Sequence, residues 1–128
     1  MEFVGVDIES RTGNVEKIGD LVLTEDERQC QTGLGAASFD DWLRVIFCAK
    51  EAIYKAIFPS VARFVDFREV SVGIDGGSNT FTARAGSDRA LDKVVRRGTG
   101  RFLLLDSVLI ASFFCEAVRR GQAAPEGA

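Results

Sequence analysis

The stretch from Ser38 to Pro59 admits one regular structure. Ser38-Phe-Asp-Asp41 offers a helix start, with a capping serine and acidic residues suited to the positive helix end. Pro59 cannot continue a helix, which predicts an end near Ile57 or Phe58. In between, Trp42, Ile46, Ala49, Ile53 and Ala56 step by four, three, four and three and form one apolar stripe. The same segment carries Lys50, Glu51 and Lys55. Arg44, Cys48, Glu51 and Lys55 share a second stripe, at about 100° per residue roughly opposite the first. Phe47 and Tyr54 flank Glu51 on its own side. Two readings of this second stripe stand open. Glu51 and Lys55 can be an i,i+4 surface pair worth about 0.2–0.5 kcal/mol. Or the charged face can be turned toward a site.

A second pattern bears on that choice. Glu2-Phe-Val-Gly-Val-Asp-Ile-Glu9 alternates as a strand, with Phe3, Gly5, Asp7 and Glu9 on one face and Val4, Val6 and Ile8 on the other. The β-branched face is the one expected to pack on a core. The other ends in two carboxylates pointing the same way, which is unfavourable unless a cation or base lies between them. A strand running out into solvent is the competing account.

The chain contains no histidine, so triads built on imidazole are excluded and chemistry must rest on carboxylates, lysines and arginines. Oxygen ligands favour a hard cation such as Mg²⁺. The three cysteines, Cys30, Cys48 and Cys115, are widely spaced and read as reduced and structural. A net charge of −3 is no nucleic-acid footprint, and Arg96-Arg97 and Arg119-Arg120 are the only notable basic pairs. No apolar run reaches the roughly 18 residues of a membrane helix. The N-terminus lacks the basic start of a signal peptide, and a cytoplasmic protein is expected.

The remaining segments fill in an α+β chain. Ser10 to Asp20 reads as a loop. Thr24-Glu-Asp-Glu27 is a capping-box pattern that predicts a short helix over about 25–31, ended by Gly33 and Gly35. Phe64 and Phe67 are expected to tuck under the sheet, and Phe39 and Trp42 to join the core. Strands are expected over 68–75 and 80–85 around the Asp75-Gly-Gly-Ser-Asn79 turn, then a helix over 88–97 and a hairpin around Asp106-Ser107. The result is a small mixed or antiparallel sheet with a long helix packed on one face. Residues 1–116 make one domain, and 117–128 are expected to be a disordered tail.

Gly5-Val-Asp-Ile-Glu9, then Lys50-Glu51-Ala-Ile-Tyr-Lys55-Ala, with Thr24-Glu-Asp-Glu27 between them, resembles the 4′-phosphopantetheinyl transferases. The Lys55-Ala-Ile-Phe-Pro59 ending is similar to the two-domain, surfactin- and enterobactin-synthase type, and the resemblance runs from about Val4 to Phe114. It implies transfer of the phosphopantetheine arm of coenzyme A to a serine of an apo acyl or peptidyl carrier protein, releasing adenosine 3′,5′-bisphosphate. It further implies that Asp7, Glu9 and Glu51 hold Mg²⁺ and that Lys55 contacts a phosphate. Glu51 can also act as base toward the serine. Lys50 can reach the pyrophosphate or merely snorkel to solvent.

Two-domain members are built from two similar halves with the coenzyme A cleft between them. This chain resembles their C-terminal half, one half of a pseudo-dimer. The expectation is therefore a catalytic half that needs an N-terminal half or self-association as a homo-oligomer. The alternative is a non-catalytic remnant or carrier-protein interaction module.

Overall fold

Strand β1 covers Glu2–Ser10, and its inward face is the one that carries Gly5 and Asp7. This reverses the expected packing. Val4 and Ile8 are each 61% exposed, and Val6 is also exposed. Shape decides against hydrophobicity here. A Cβ built on Gly5 would lie 2.0 Å from the carbonyl oxygen of Ala52 and 2.6 Å from the amide nitrogen of Ala56. The long helix rests directly on the strand backbone, which only a glycine face permits. A valine face would hold the helix away.

The computed structural model describes residues 2–13, 15, 17–30 and 38–116. The predicted end of the short helix at Gly33 and Gly35, and the tail at 117–128, lie outside them. After β1 come α1 (Ile18–Val22), α2 (Glu25–Gln29) and α3 (Phe39–Val61). Then follow a 3₁₀ turn (Phe67–Glu69), β2 (Val70–Asp75), β3 (Thr80–Ala85), α4 (Arg89–Arg96), β4 (Thr99–Leu104) and β5 (Val108–Glu116). Helix α1 falls where a loop was expected. It is a single short turn, and its C-cap amide bonds back to Gly19.

Helix α3 begins as predicted, with Ser38 accepting a bond from the Asp41 amide. It outlasts Pro59 and ends at Val61. Proline at the last turn removes one backbone bond, and the chain closes instead through Ala62, whose left-handed backbone lets its amide donate to Phe58 at 2.7 Å.

The five strands form one antiparallel sheet in the order β1-β5-β4-β3-β2, so β1 is an edge strand. Asp7 stands opposite Ala111 and Glu9 opposite Leu109. α3 packs across β1 and β5. Trp42, Ile46, Ala49, Ile53 and Ala56 are buried, as the stripe predicts, and meet Leu109, Ala111 and Phe113 in one core. Each large side chain so buried contributes about 1.5–3 kcal/mol. Leu91, Val94 and Val95 of α4 close the other end. Phe67 packs against this core, whereas Phe39 and Phe64 are exposed, against expectation. Both sit outside the helix stripe and the strand faces, where periodicity assigns no side. No helix among the described residues is long and apolar enough to cross a membrane.

The sheet's outer face is divided. Val4, Val6 and Ile8 of β1, Phe114 of β5 and Leu103 of β4 are exposed and apolar. Register places Val4 opposite Phe114, and Ile8 and Leu103 both opposite Ile110, so these side chains form one patch. The outward positions of β3 are instead Thr80, Thr82 and Arg84.

Candidate active site

Because α3 lies against β1, its second stripe passes beneath the two carboxylates of the strand. The Cys48 thiol is 3.3 Å from the backbone carbonyl of Asp7, and it is buried so deeply there that its pKa is driven upward. One turn on comes Glu51, and one further turn brings Lys55. The Lys55 ammonium donates to the Val6 carbonyl at 3.1 Å and to Asp7 Oδ1 at 2.9 Å. Strand and helix thus bring Asp7, Glu9, Glu51 and Lys55 to one place.

The electrostatics record how closely the acids are held. Glu9 is pushed up to about 7, first by burial and then by the closeness of Asp7, with Glu51 adding to it. Burial and then Asp7 raise Glu51. The bond to Asp7 and the surrounding negative charge raise Lys55. Asp7 is only 6% exposed, yet its Oδ2 is buried and accepts no hydrogen bond from the described residues. A proton on Glu9 would serve that oxygen. So would a cation.

As the side chains stand, no three His, Cys, Asp or Glu residues among those described are gathered tightly enough to hold a metal. One oxygen of Asp7 is already taken by Lys55. The donor chemistry nevertheless fits a hard divalent ion. Three carboxylates are drawn from a rigid strand and helix, and one of them presents a buried, unpartnered oxygen.

Lys50 is a correction. It was expected to reach a pyrophosphate or solvent. Instead its side chain is 2% exposed, and its ammonium donates to Val22 O at 2.6 Å, Glu27 Oε1 at 2.8 Å and Phe67 O at 2.9 Å. Burial lowers its pKa, against the pull of Glu27. Glu27, also 2% exposed, does double duty. It closes the predicted capping box with Thr24 and accepts from the Val72 amide at 2.6 Å. The charge at Lys50 therefore joins α1, α2, α3 and the segment before β2. Its sequence neighbour Glu51 points about 100° round the helix from it, so the two heads reach different partners.

Beside Glu51 opens a pocket of about 240 Å³, walled by Ile53, Tyr54, Ile57, Phe64, Val65 and Phe67. The stem of Lys50 lines it too. Tyr54 meets Phe58 and Phe64 edge to face, with centroids 6.0 and 6.1 Å away. Sequence reasoning missed this pocket, since it needs the connector 64–67 to fold back along α3. At the N-terminal end of α3, Asp41 binds Arg11 at 2.9 Å and Arg44 at 3.6 Å. Arg44, the first residue of the charged stripe, also donates to Gly13 O and anchors the loop after β1.

A family model of the 4′-phosphopantetheinyl transferase superfamily matches residues 3–115. Among curated relatives, the 4′-phosphopantetheinyl transferase Svp of Streptomyces mobaraensis is 34% identical over 82 residues, 63% of this chain and 33% of that protein. The transferase Npt of Nocardia iowensis is 34% identical over 85 residues, 61% of this chain and 37% of that protein. The match thus spans about a third of the length of these relatives. Solved structures share the fold. A holo-[acyl-carrier-protein] synthase of Thermotoga maritima superposes with a TM-score of 0.71 at 19% identity, covering 93% of this chain and 66% of that one. The Chronobacterium ammoniagenes ACPS–CoA complex gives 0.69 at 19% identity, covering 93% and 99%. With the family match running from β1 to β5 and the antiparallel sheet and long helix shared with these structures, the chain belongs to the 4′-phosphopantetheinyl transferase superfamily.

Proposed function

We propose that this chain supplies the cation-binding wall of a site that transfers the phosphopantetheine arm of coenzyme A to a carrier-protein serine. The observation that carries this reading is the convergence of Asp7, Glu9, Glu51 and Lys55 where α3 crosses β1. Asp7, Glu9 and Glu51 would hold Mg²⁺. Bound there, the ion would neutralise charge on the pyrophosphate as the bond to the leaving group breaks.

The chain's own residues account for the rest. Lys55, half-exposed and one turn from Glu51, would take a phosphate oxygen. Glu51 is the carboxylate of α3 that faces the site, and it is offered as the base directly or through a water. It would take the proton of the carrier serine as the serine oxygen bonds to the phosphorus bearing the arm. The bond from that phosphorus to the bridging oxygen then breaks, and adenosine 3′,5′-bisphosphate leaves with the electron pair. The apolar pocket beside Glu51 suits the slender, uncharged pantetheine arm.

The exposed apolar patch on β1, β5 and β4 lies on the sheet face turned away from the acids. A second copy of the chain, or a further α/β unit of the same protein, would cover it.

The test is Mg²⁺-dependent transfer of a fluorescent coenzyme A analogue to an apo carrier protein. Labelling by the chain, alone or with an added N-terminal unit, that is lost in Glu51→Gln supports the reading. Full labelling by Glu51→Gln would remove Glu51 from it. No labelling in either setting would favour a non-catalytic interaction module.

A further inference from the structure

Lys55 occupies an odd position for a residue whose proposed task is to meet a phosphate. Its ammonium is turned inward, onto the Val6 carbonyl and Asp7 Oδ1. Asp7 has reason to hold it. Asp7 is a carboxylate only 6% exposed, with Glu9 and Glu51 nearby, and the ammonium is the cation in contact with it. Lys55 has little reason to stay. Its side chain is 51% exposed, and a flexible stem bears a head that water solvates well. An ion pair with one member in water is readily exchanged. The other oxygen, Asp7 Oδ2, is buried and empty-handed.

We infer that Lys55 is a built-in counter-ion that a divalent cation displaces from Asp7. This inference rests on the cation site proposed above. Without the cation, the ammonium occupies Oδ1 of Asp7. A divalent ion carries twice the charge and satisfies three carboxylates at once, so it wins the contest. The displaced ammonium swings outward from α3 into solvent, where it is free to meet a phosphate. Cation binding and readiness for phosphate are thereby one event.

The consequence runs against intuition for a residue placed in the site: its removal tightens cation binding. The experiment is titration of the ligand-free chain with Mn²⁺, following free Mn²⁺ by electron paramagnetic resonance at low ionic strength. Removing one positive charge within contact range of a divalent ion is expected to tighten binding about tenfold in Lys55→Gln. Lys55→Arg is expected to stay near the parent. In the parent chain, saturating Mg²⁺ is expected to speed acetylation of the Lys55 amine, read by mass spectrometry, because the amine leaves Asp7. Equal or weaker Mn²⁺ binding by Lys55→Gln, or Lys55 acetylation indifferent to Mg²⁺, would overturn the exchange and leave the cation site standing. Absence of Mn²⁺ binding in parent and variant alike would overturn both.

Discussion

The ammonium of Lys50 and the carboxylate of Glu27 meet at 2.8 Å with both side chains 2% exposed. Breaking such a pair from one side leaves a lone charge in the interior, which costs about 3–5 kcal/mol. Lys50→Met should therefore shift the urea midpoint of the chain strongly downward. The double variant Glu27→Gln with Lys50→Met should recover much of that loss. Because the ammonium points away from the acids at Asp7 and Glu51, any Lys50→Met protein that remains folded should keep its parent Mn²⁺ affinity. A large drop in that affinity would restore Lys50 to the site.

Gly5 is predicted to tolerate no side chain. Alanine would drive a methyl group into the Ala52 carbonyl, which is backbone and cannot swing aside. Overpacking of this kind costs about 1–3 kcal/mol. Relief requires β1 to lift off α3, so Gly5→Ala should weaken Mn²⁺ binding and stability together. Urea denaturation and Mn²⁺ titration on one preparation check both.

The raised carboxylates make ligand-free stability depend on pH. Glu9 ionises at about 7 in the folded chain against an ordinary 4.5. Between those values the folded chain holds a proton that the unfolded chain has released. Stability then falls as pH rises through this window, and Glu51 acts in the same direction. The melting temperature of the ligand-free chain should drop from about pH 5 to about pH 7.5. Glu9→Gln should flatten the drop, and Mg²⁺ should offset it at the upper end. A melting temperature that climbs across this range would contradict the assignment.

The outer sheet face predicts association. Val4 and Leu103 stand in the exposed apolar patch, away from the acids on the inner face. The chain by itself should show a concentration-dependent mass above its monomer value. Val4→Lys with Leu103→Lys should bring it to a monomer with little change in melting temperature, as measured by light scattering after size exclusion. A parent chain that is monomeric at every concentration would refute a second copy as the cover of this face.

Much of this could be read from the sequence, and the parts that could not fail for identifiable reasons. The α3 stripe is periodic, and Trp42 through Ala56 are buried as that period requires. The Asp75–Asn79 turn and the capping box at Thr24 rest on local chemistry and are found where expected. Bringing Asp7, Glu9, Glu51 and Lys55 together needed only a strand face and a helix face. The face of β1 that packs was misjudged, since hydrophobicity favours Val4, Val6 and Ile8. What decides is how near a helix can come to Gly5, a long-range fact. The destination of Lys50 was equally out of reach. Its three acceptors are supplied by α1, α2 and the turn before β2. Nothing local to Lys50 marks it as buried.

The edge position of β1 has one more consequence. An edge strand offers unpaired backbone to any neighbouring chain, and Val4, Val6 and Ile8 add an apolar surface to that invitation. Inward-pointing charges are one way proteins keep such borders from recruiting another strand. Asp7 and Glu9 are charges of that kind. A strand docking alongside β1 would have to bury them further, with Lys55 standing in its path. The acids proposed to bind a cation thus also stand against outward growth of the sheet, and a variant that removes both is expected to be less soluble than the parent.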